Sequence, residues 1–438
     1  MNVILSLLVS TMSLGTYEPS WESLDQRENP AWFQDAKFGI FIHWGVYAVP
    51  AWGPKDRYSE WYWYDMENKN SETWHFHENT YGSDFKYQSF APLWKTDMFE
   101  PEHWADIFAR SGAKYIVLTS KHHEGFALWP SAESWNWNSV DIGPHRDICG
   151  ELTDAVRARN LRMGFYYSLY EWFNPLYHSD VDRYVDQHML PQLKDLVERY
   201  QPDLVWPDGE WEHPSSTWRS EEFLAWLFNE SAAPTDVVIN DRWGRETRNV
   251  HGGFATPEYG HIPEGKLIDE GRWEECQGMG KSFGYNRNEH IDNYRNSTEL
   301  VHLLIDTVSR GGNLLLDIGP KADGRIPTHM EHLLLEIGQW LEVNGDAIYG
   351  TMRGDFPAQE GLRFTRKGNS IFAISLVWPG ESLEIVLPND TTVNDVTLLG
   401  LNTTVSFTQS GNMLQIKSPS VSPLDNLAHQ AYVFELKQ

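Results

Sequence analysis

The sequence predicts an α/β protein, a (β/α)8-like TIM barrel followed by a small antiparallel β-sandwich, and three observations point there. Strand-like apolar runs that end in polar or aromatic residues alternate with helical patterns from Phe38 to Val343, the mark of a parallel sheet with helical crossovers. After Asn344-Gly345 the texture changes to short alternating runs separated by turn clusters with no helix between them, as in an antiparallel sandwich. The doubly wound alternative lacks its signature. No G-x-G-x-x-G follows the first strand and no G-x-x-x-x-G-K-[ST] occurs, so neither standard phosphate-cradling loop is present.

In chain order, the first strand is Phe38 to Ile42, which runs directly into His43-Trp44-Gly45. Further strands are expected at Tyr115 to Thr119, Met163 to Tyr167, Leu204 to Trp206, Val237 to Ile239 and Leu314 to Ile318. Helical patterns cover Pro101 to Ser111 and Leu152 to Arg159. The segment Val181 to Tyr200 sets Met189, Leu193, Leu196, Val197 and Tyr200 on one face, with Pro191 expected to bend it. A helix from Thr328 to Val343 closes the barrel. Sandwich strands follow at Ser370 to Trp378, Ser382 to Leu387, Val396 to Leu401, Thr404 to Thr408, Leu414 to Lys417 and Ala431 to Leu436. The boundary falls near Tyr349 to Phe356, giving a barrel domain over 16–350 and a sandwich over 351–438. The sandwich carries no cluster of catalytic residue types, so its expected role is to cover one side of the barrel.

Composition narrows the function. The 438 residues carry 62 acidic against 35 basic side chains, a formal charge of −27, which repels nucleic acid phosphates and anionic membrane surfaces. Aromatics make up 14% of the chain, with 21 tryptophans, and indole faces are good platforms for the apolar face of a sugar ring, although core packing also uses them. Two cysteines, Cys149 and Cys276, are too few for a disulfide scaffold and have no metal or redox spacing. The apolar run Val3 to Val9, followed by small residues, reads as a signal peptide over 1–15. Sequons at Asn229, Asn296, Asn389 and Asn402 are compatible with a secretory route, lysosomal or secreted. No other stretch reaches the roughly 20 apolar residues of a membrane span. A homo-oligomer is compatible with the sequence.

The reacting groups of such a barrel lie at the carboxyl ends of its strands. There stand His43 and Trp44, then His122-His123-Glu124, then Tyr166 and Tyr167, then Trp206 and Asp208, and finally Asn240-Asp241-Arg242. The central stretch is Leu204-Val205-Trp206-Pro207-Asp208-Gly209-Glu210-Trp211, where a strand-type run ends in a carboxylate between indoles. Asp208 is the leading candidate for a nucleophile, and the competing reading of Pro207-Asp208-Gly209 is an ordinary turn. A zinc hydrolase built on His43, His122 and Asp208 is the chemical alternative. A barrel metal site normally takes two histidines spaced two apart so that both face inward, and here they are adjacent. We therefore expect neither metal nor cofactor, with the imidazoles serving as hydrogen-bonding groups toward hydroxyls.

Several blocks of the chain together carry a resemblance. Lys37 to Gly45, Lys121-His122-His123-Glu124-Gly125-Phe126, Ser134 to Ser139, Gly143-Pro144-His145-Arg146-Asp147 and Pro207-Asp208-Gly209-Glu210-Trp211 resemble, in the same order, the animal lysosomal-type α-L-fucosidases of glycoside hydrolase family 29. The likeness runs from about Tyr17 to the C-terminus. It implies a (β/α) barrel followed by a β-sandwich, a fucosylated glycan as substrate, a retaining mechanism and no metal. Residue by residue, it implies Asp208 as nucleophile with Trp206 in the same wall. It gives His43, Glu60, Trp61, His122, His123, Tyr166 and Arg242 to the fucose hydroxyls and ring, and Phe283 to the fucose methyl.

The chemistry so implied is a double displacement that needs an ionised Asp208 and a second carboxyl acting as acid and then base. Two glutamates compete for that second role. Glu258, in Gly253-Phe254-Ala255-Thr256-Pro257-Glu258-Tyr259, follows a glycine-rich bend and resembles the family's acid-bearing loop. Glu274 stands beside Trp273, whose apolar face could raise a carboxyl pKa. Glu258 is preferred for its position relative to Phe283, and Glu274 is the runner-up. An inactive, lectin-like relative that keeps the pocket without turnover is the non-enzymatic alternative.

Overall fold

The structure is a computed structural model and describes residues 16–438 apart from 56, 263, 355, 402 and 422–427. The expected leader at 1–15 and the sequon at Asn402 lie outside the described residues. Seven strands lie parallel: β1 Phe38–Ile42, β2 Tyr115–Lys121, β3 Arg162–Ser168, β4 Leu204–Asp208, β5 Val238–Ile239, β6 Glu274–Gly278 and β7 Asn313–Ile318. Their order is β5-β4-β3-β2-β1-β7-β6, so β5 and β6 form the two edges. Nearly every strand residue is buried on both faces, as expected where helices cover a parallel sheet.

Residues 254–258 fill the gap between the edges. Isolated parallel bridges link Asn240 to Phe254, Ala255 to Trp273 and Glu258 to Cys276. The Ala255 N–H donates to the Arg272 carbonyl at 2.9 Å, and the Glu274 and Cys276 N–H groups donate to the Ala255 and Pro257 carbonyls at 2.8 and 3.0 Å. This eighth stave closes the sheet. Pro257 has no N–H to give to a ladder, which keeps the stave irregular.

Side chains alternate faces along each strand, and the alternation sorts the core. Phe41, Tyr115, Val117, Tyr166, Leu204, Trp206, Val238, Phe254, Cys276 and Leu315 pack together inside the barrel. Ile40, Ile42, Ile116, Leu118, Phe165, Tyr167 and Val205 belong to the larger layer between sheet and helices. Helices Pro101–Arg110, Ile148–Arg157, Leu190–Tyr200, Ser220–Asn229, Ser297–Ser309 and Thr328–Asn344 supply the outer side of that layer.

The sequence reading misses β6, because Glu274-Glu275-Cys276-Gln277-Gly278 has no apolar run to mark a strand. The bend expected at Pro191 takes another form. Helix Val181–Tyr184 passes through a π-helical turn, Val185–Met189, into Leu190–Tyr200, with Pro191 in the first turn of the last part. The wider turn ends where proline supplies no N–H to the preceding one.

The C-terminal part holds a six-stranded sheet, order β13-β12-β16-β10-β9-β8, and a three-stranded sheet, order β11-β15-β14. The strands are β8 Met352–Arg353, β9 Leu362–Lys367, β10 Ser370–Ser375, β11 Ser382–Val386, β12 Asp395–Leu398, β13 Thr403–Thr404, β14 Phe407–Ser410, β15 Met413–Lys417 and β16 Tyr432–Lys437. The sequence reading does not foresee β8 and β9. Ile371, Ala373, Ile385, Val396, Leu414, Ile416 and Phe434 form a core of their own. No helix among the described residues is long and apolar enough to cross a membrane.

The eighth stave enters the barrel through a tight approach at Gly253. A Cβ there would lie 2.4 Å from the Ile239 carbonyl oxygen and 2.7 Å from Asn29 Oδ1. Gly253→Ala is therefore expected to lower unfolding stability by about 1–3 kcal/mol, read from the midpoint of a denaturant titration. An unchanged midpoint would mean that the stave is not seated against β5.

Candidate active site

Asp208 is the last residue of β4 and shares the inward face with Leu204 and Trp206. It is therefore a strand end, not the turn residue that Pro-Asp-Gly allows. The next residue, Gly209, has φ 76°, and a Cβ on it would meet the Tyr170 ring at 2.4 Å. Glycine alone lets the chain leave the strand at once without moving the carboxylate. Asn240 anchors the same point, donating from Nδ2 to the Pro207 carbonyl at 2.9 Å.

Around Asp208 lies a cavity of about 190 Å³, below the roughly 300–1,000 Å³ of drug-sized pockets and on the scale of one sugar ring. It is lined by His43, Glu60, Trp61, His122, His123, Tyr166, Trp206, Asp208, Arg242, Glu258 and Phe283, all of the residues to which the resemblance gives a role, but not Glu274. Phe41, Tyr58, Trp211, Arg248 and Cys276 complete the wall, and the sequence reading did not nominate them. Trp211 is the last residue of the quoted stretch Leu204 to Trp211 and was within reach. Cys276 and Tyr58 carried no signal beyond their neighbours.

One guanidinium organises the charges. Arg242 Nη1 donates to Asp208 Oδ1 at 2.7 Å, Nη2 donates to Glu258 Oε1, and Nε donates to Thr256 Oγ1 at 2.8 Å. Its plane lies 4.4 Å from the Trp206 ring centroid, a cation–π contact inside a closed site. Asp208 Oδ2 accepts from the Tyr166 hydroxyl at 2.9 Å and stands 3.6 Å from His123 Nε2. Burial alone would raise the Asp208 pKa, but the guanidiniums of Arg242 and Arg248 outweigh it and hold the carboxyl well below the usual range. Asp208 is therefore ionised at any working pH.

The imidazoles of His43 and His123 are neutral for the opposite reason. Burial pushes His43 and His123 well below the ordinary imidazole value, and the neighbouring His122 adds to it. Ser168 Oγ gives its one proton to the Tyr170 carbonyl at 2.6 Å, so toward His123 Nδ1, also at 2.6 Å, it can only accept. His123 thus carries its proton on Nδ1 and presents a bare Nε2. His122 stacks on Tyr166 with ring centroids 5.7 Å apart and planes 13° apart, and its Nδ1 stands 3.4 Å from Glu124 Oε2. His43 stacks on Phe283 at 4.8 Å, and its Nδ1 is 2.6 Å from Oδ1 of Asp317, at the end of β7. The sequence reading passes over Asp317 because it sits inside the run Leu314 to Ile318.

Glu60 is buried, and its Oε2 accepts from the Gly284 N–H at 2.9 Å and the Ser282 hydroxyl at 3.4 Å. Burial raises its pKa to about 7. Trp61 packs on His123 and Trp172, with ring centroids 5.6 and 5.0 Å away.

Strand alternation also turns several nominated residues away. Trp44 follows His43 but packs outward against Trp94 and Trp104, and Tyr167 follows Tyr166 but donates outward to Gln192 at 2.9 Å. Asp241 lies beneath the site, accepting from Thr256 Oγ1 at 2.7 Å and the Asn249 N–H at 2.8 Å.

Glu274, the runner-up acid, lies inside the barrel below the cavity and does not line it. It is fully buried, accepting from Tyr115 OH at 2.5 Å and Trp206 Nε1 at 3.0 Å. Its position on β6 points it at the barrel axis one layer below Cys276. Glu258, on the eighth stave with Phe254 and Thr256, lines the cavity with its side chain 32% exposed.

Among the described residues, no group of three His, Cys, Asp or Glu could hold a metal ion. A larger cavity of about 700 Å³ adjoins the inner one and shares Tyr58 and Trp61 with it. Arg57, Asp65, Tyr259 and Lys281 complete its lining.

Burial raises the Glu274 pKa from 4.5 to about 7. Such a carboxyl contributes its full stabilisation below its unfolded pKa and loses it as pH rises through the folded one. Glu274→Gln, which keeps the shape, is expected to match the parent protein at pH 4 and to be the more stable of the two above pH 7, by on the order of 3 kcal/mol at most. A stability difference independent of pH would contradict this.

Comparison with known proteins agrees with the geometry. A family model for alpha-L-fucosidase matches residues 5–346, and one for the alpha-L-fucosidase C-terminal domain matches residues 357–437. The tissue alpha-L-fucosidase of Rattus norvegicus is 45% identical over 405 residues, covering 90% of this chain and 86% of the relative. That of Homo sapiens is 42% identical over 433 residues, covering 96% and 91%. A Thermotoga maritima alpha-fucosidase solved in complex with a mechanism based inhibitor superposes with a TM-score of 0.83 at 39% identity, over 96% of this chain and all of that one. Matched across both parts and over most of its length, the chain belongs to the alpha-L-fucosidase family of glycoside hydrolases.

Proposed function

We propose that the protein removes terminal α-L-fucose from glycans by a retaining double displacement in which Asp208 is the nucleophile and Glu258 the acid and base. The observation that carries this reading is the pair of carboxylates held at the two ends of the Arg242 guanidinium, at the wall of a one-sugar cavity. An ionised Asp208 Oδ attacks the anomeric carbon from the β face, the glycosidic C–O bond breaks, and Glu258 gives its proton to the departing oxygen. The product of this step is a β-fucosyl ester of Asp208. Asp208 loses its charge in this step as Glu258 gains one, so Arg242 keeps a single anionic partner, and the Glu258 carboxylate takes the proton of an attacking water. Water enters from the α face and releases α-L-fucose.

The neutral imidazoles of His43 and His123 and the carboxyl of Glu60 would take the fucose hydroxyls, and Phe283, stacked on His43, would cover the methyl group. No metal or cofactor has a part in these steps. The leaving portion of the glycan would occupy the outer cavity, since Glu258 lines the inner space and the next residue, Tyr259, lines the outer one. Relatives described as tissue and plasma alpha-L-fucosidases support a lysosomal or secreted location.

Asp208→Gly should lower turnover of an aryl α-L-fucoside by several orders of magnitude, and azide should restore part of it by forming β-L-fucosyl azide. Near-normal activity in this variant would remove Asp208 from the role. Glu258→Ala should hardly affect fucosides with good leaving groups at the first step and cripple those with poor ones. Azide should then accelerate turnover and yield α-L-fucosyl azide, because it attacks the ester from the water's side. If the unaltered protein binds fucose without releasing it from any fucoside, the lectin-like reading takes its place.

A further inference from the structure

His43 and Asp317 form a closed pair at the end of β1 and β7. Their side chains are 5% and 0% exposed, and His43 Nδ1 lies 2.6 Å from Asp317 Oδ1. Asp317 Oδ2 has no hydrogen-bond partner, and among the described residues no lysine or arginine stands within 4.0 Å of this carboxyl. The groups that act on the pair electrostatically are Glu60, His122, His123, Asp208 and Arg242, with Tyr47, Tyr259 and Cys276 facing Asp317. None of them gives Asp317 a cation at contact.

We propose that Asp317 is a positioning residue that keeps a proton on the His43–Asp317 pair, so that His43 presents Nε2–H as a donor where His123 presents a bare Nε2 as an acceptor. The argument is a count of protons. A net-neutral pair is either a carboxylic acid with a neutral imidazole or a carboxylate with an imidazolium. In the first form the acid donates to Nδ1, so the imidazole's own proton sits on Nε2. In the second, both ring nitrogens are protonated. Nε2 is a donor in both, wherever the shared proton rests. Two states leave Nε2 bare, each with Nδ1–H donating to Oδ1: an acid whose proton sits on Oδ2, where it would have no acceptor, and a pair of net charge −1. The charged state would bury a carboxylate with one oxygen unpartnered and no cation beside it, which costs several kcal/mol. The direction of the two pKa values agrees, for burial and Glu60 drive Asp317 well above the carboxyl range while burial drives His43 well below the imidazole range.

The consequence reaches the substrate. A sugar hydroxyl both donates and accepts, and a cavity with one imidazole donor and one imidazole acceptor can fix the direction of both bonds to neighbouring hydroxyls. This rests on the reading that the cavity holds a fucosyl unit, but its test does not. In protein labelled with 15N only at histidine, long-range 1H–15N spectra report which ring nitrogen carries a proton, and His43→Gln identifies the His43 signals. A protonated Nε2 on His43 in the ligand-free protein is expected, and an unprotonated Nε2 would overturn the proposal whatever the protein's activity. Kinetics supplies a second readout. Asp317→Ala should lose on the order of tenfold in kcat/KM for an aryl α-L-fucoside, and Asp317→Asn, whose amide N–H can donate to Nδ1, should recover most of that loss together with the Nε2–H signal. An alanine variant with unaltered kcat/KM would equally overturn it.

Discussion

The guanidinium of Arg242 is the constraint on which the site depends. It donates to Asp208, to Glu258 and to Thr256, and its face rests on Trp206. Two buried or half-buried carboxylates that close would repel each other in a low dielectric, and one cation shared between them removes most of that cost. The same cation keeps Asp208 ionised against its burial. Trp206 is held in turn by Glu274, which accepts from its indole N–H. The order of support thus runs from the barrel interior upward: Tyr115 and Glu274, then Trp206, then Arg242, then the two carboxylates.

That stack exists because eight staves present every second side chain to one axis. Asp208 follows Leu204 and Trp206 on β4, Asp317 follows Leu315 on β7, and Glu258 follows Phe254 and Thr256 on the eighth stave. Barrel closure and placement of Glu258 are one event, since the bridge that ties Glu258 to Cys276 is also one of those that join β6 to the rest. A carboxylate on a free loop would need a separate ordering step. Here its backbone belongs to the sheet.

The parts legible in the sequence were those with a periodic or local chemical mark. Apolar runs ending in His43, Tyr166 and Asp208 identify strand ends. The rest depends on contacts between distant segments. β6 is polar throughout its length and has no hydrophobic period to detect. The sequence leaves Glu258 and Glu274 as competitors, and their different places depend on the fold, one at the cavity wall and the other one layer down, bonded to Tyr115. Asp317 reads as one polar residue in an apolar strand, and its partner, His43, is 274 positions away. The resemblance to a family named most of the site. Physical pattern alone reached Asp208, the histidines, Tyr166, Trp206 and Arg242, but not Glu60, Trp61 or Phe283.

The central claim is that Asp208 becomes covalently attached to the sugar, and the most direct measurement is to trap that ester. A 2-deoxy-2-fluoro-α-L-fucosyl fluoride slows both steps while its good leaving group favours the first, so the ester should accumulate. Intact-mass and peptide-level mass spectrometry should then find one 2-fluorofucosyl unit per chain, on the peptide that contains Asp208. A label on Glu258 or Glu210, or release of β-L-fucose as the first sugar from an unlabelled chain, would contradict the account.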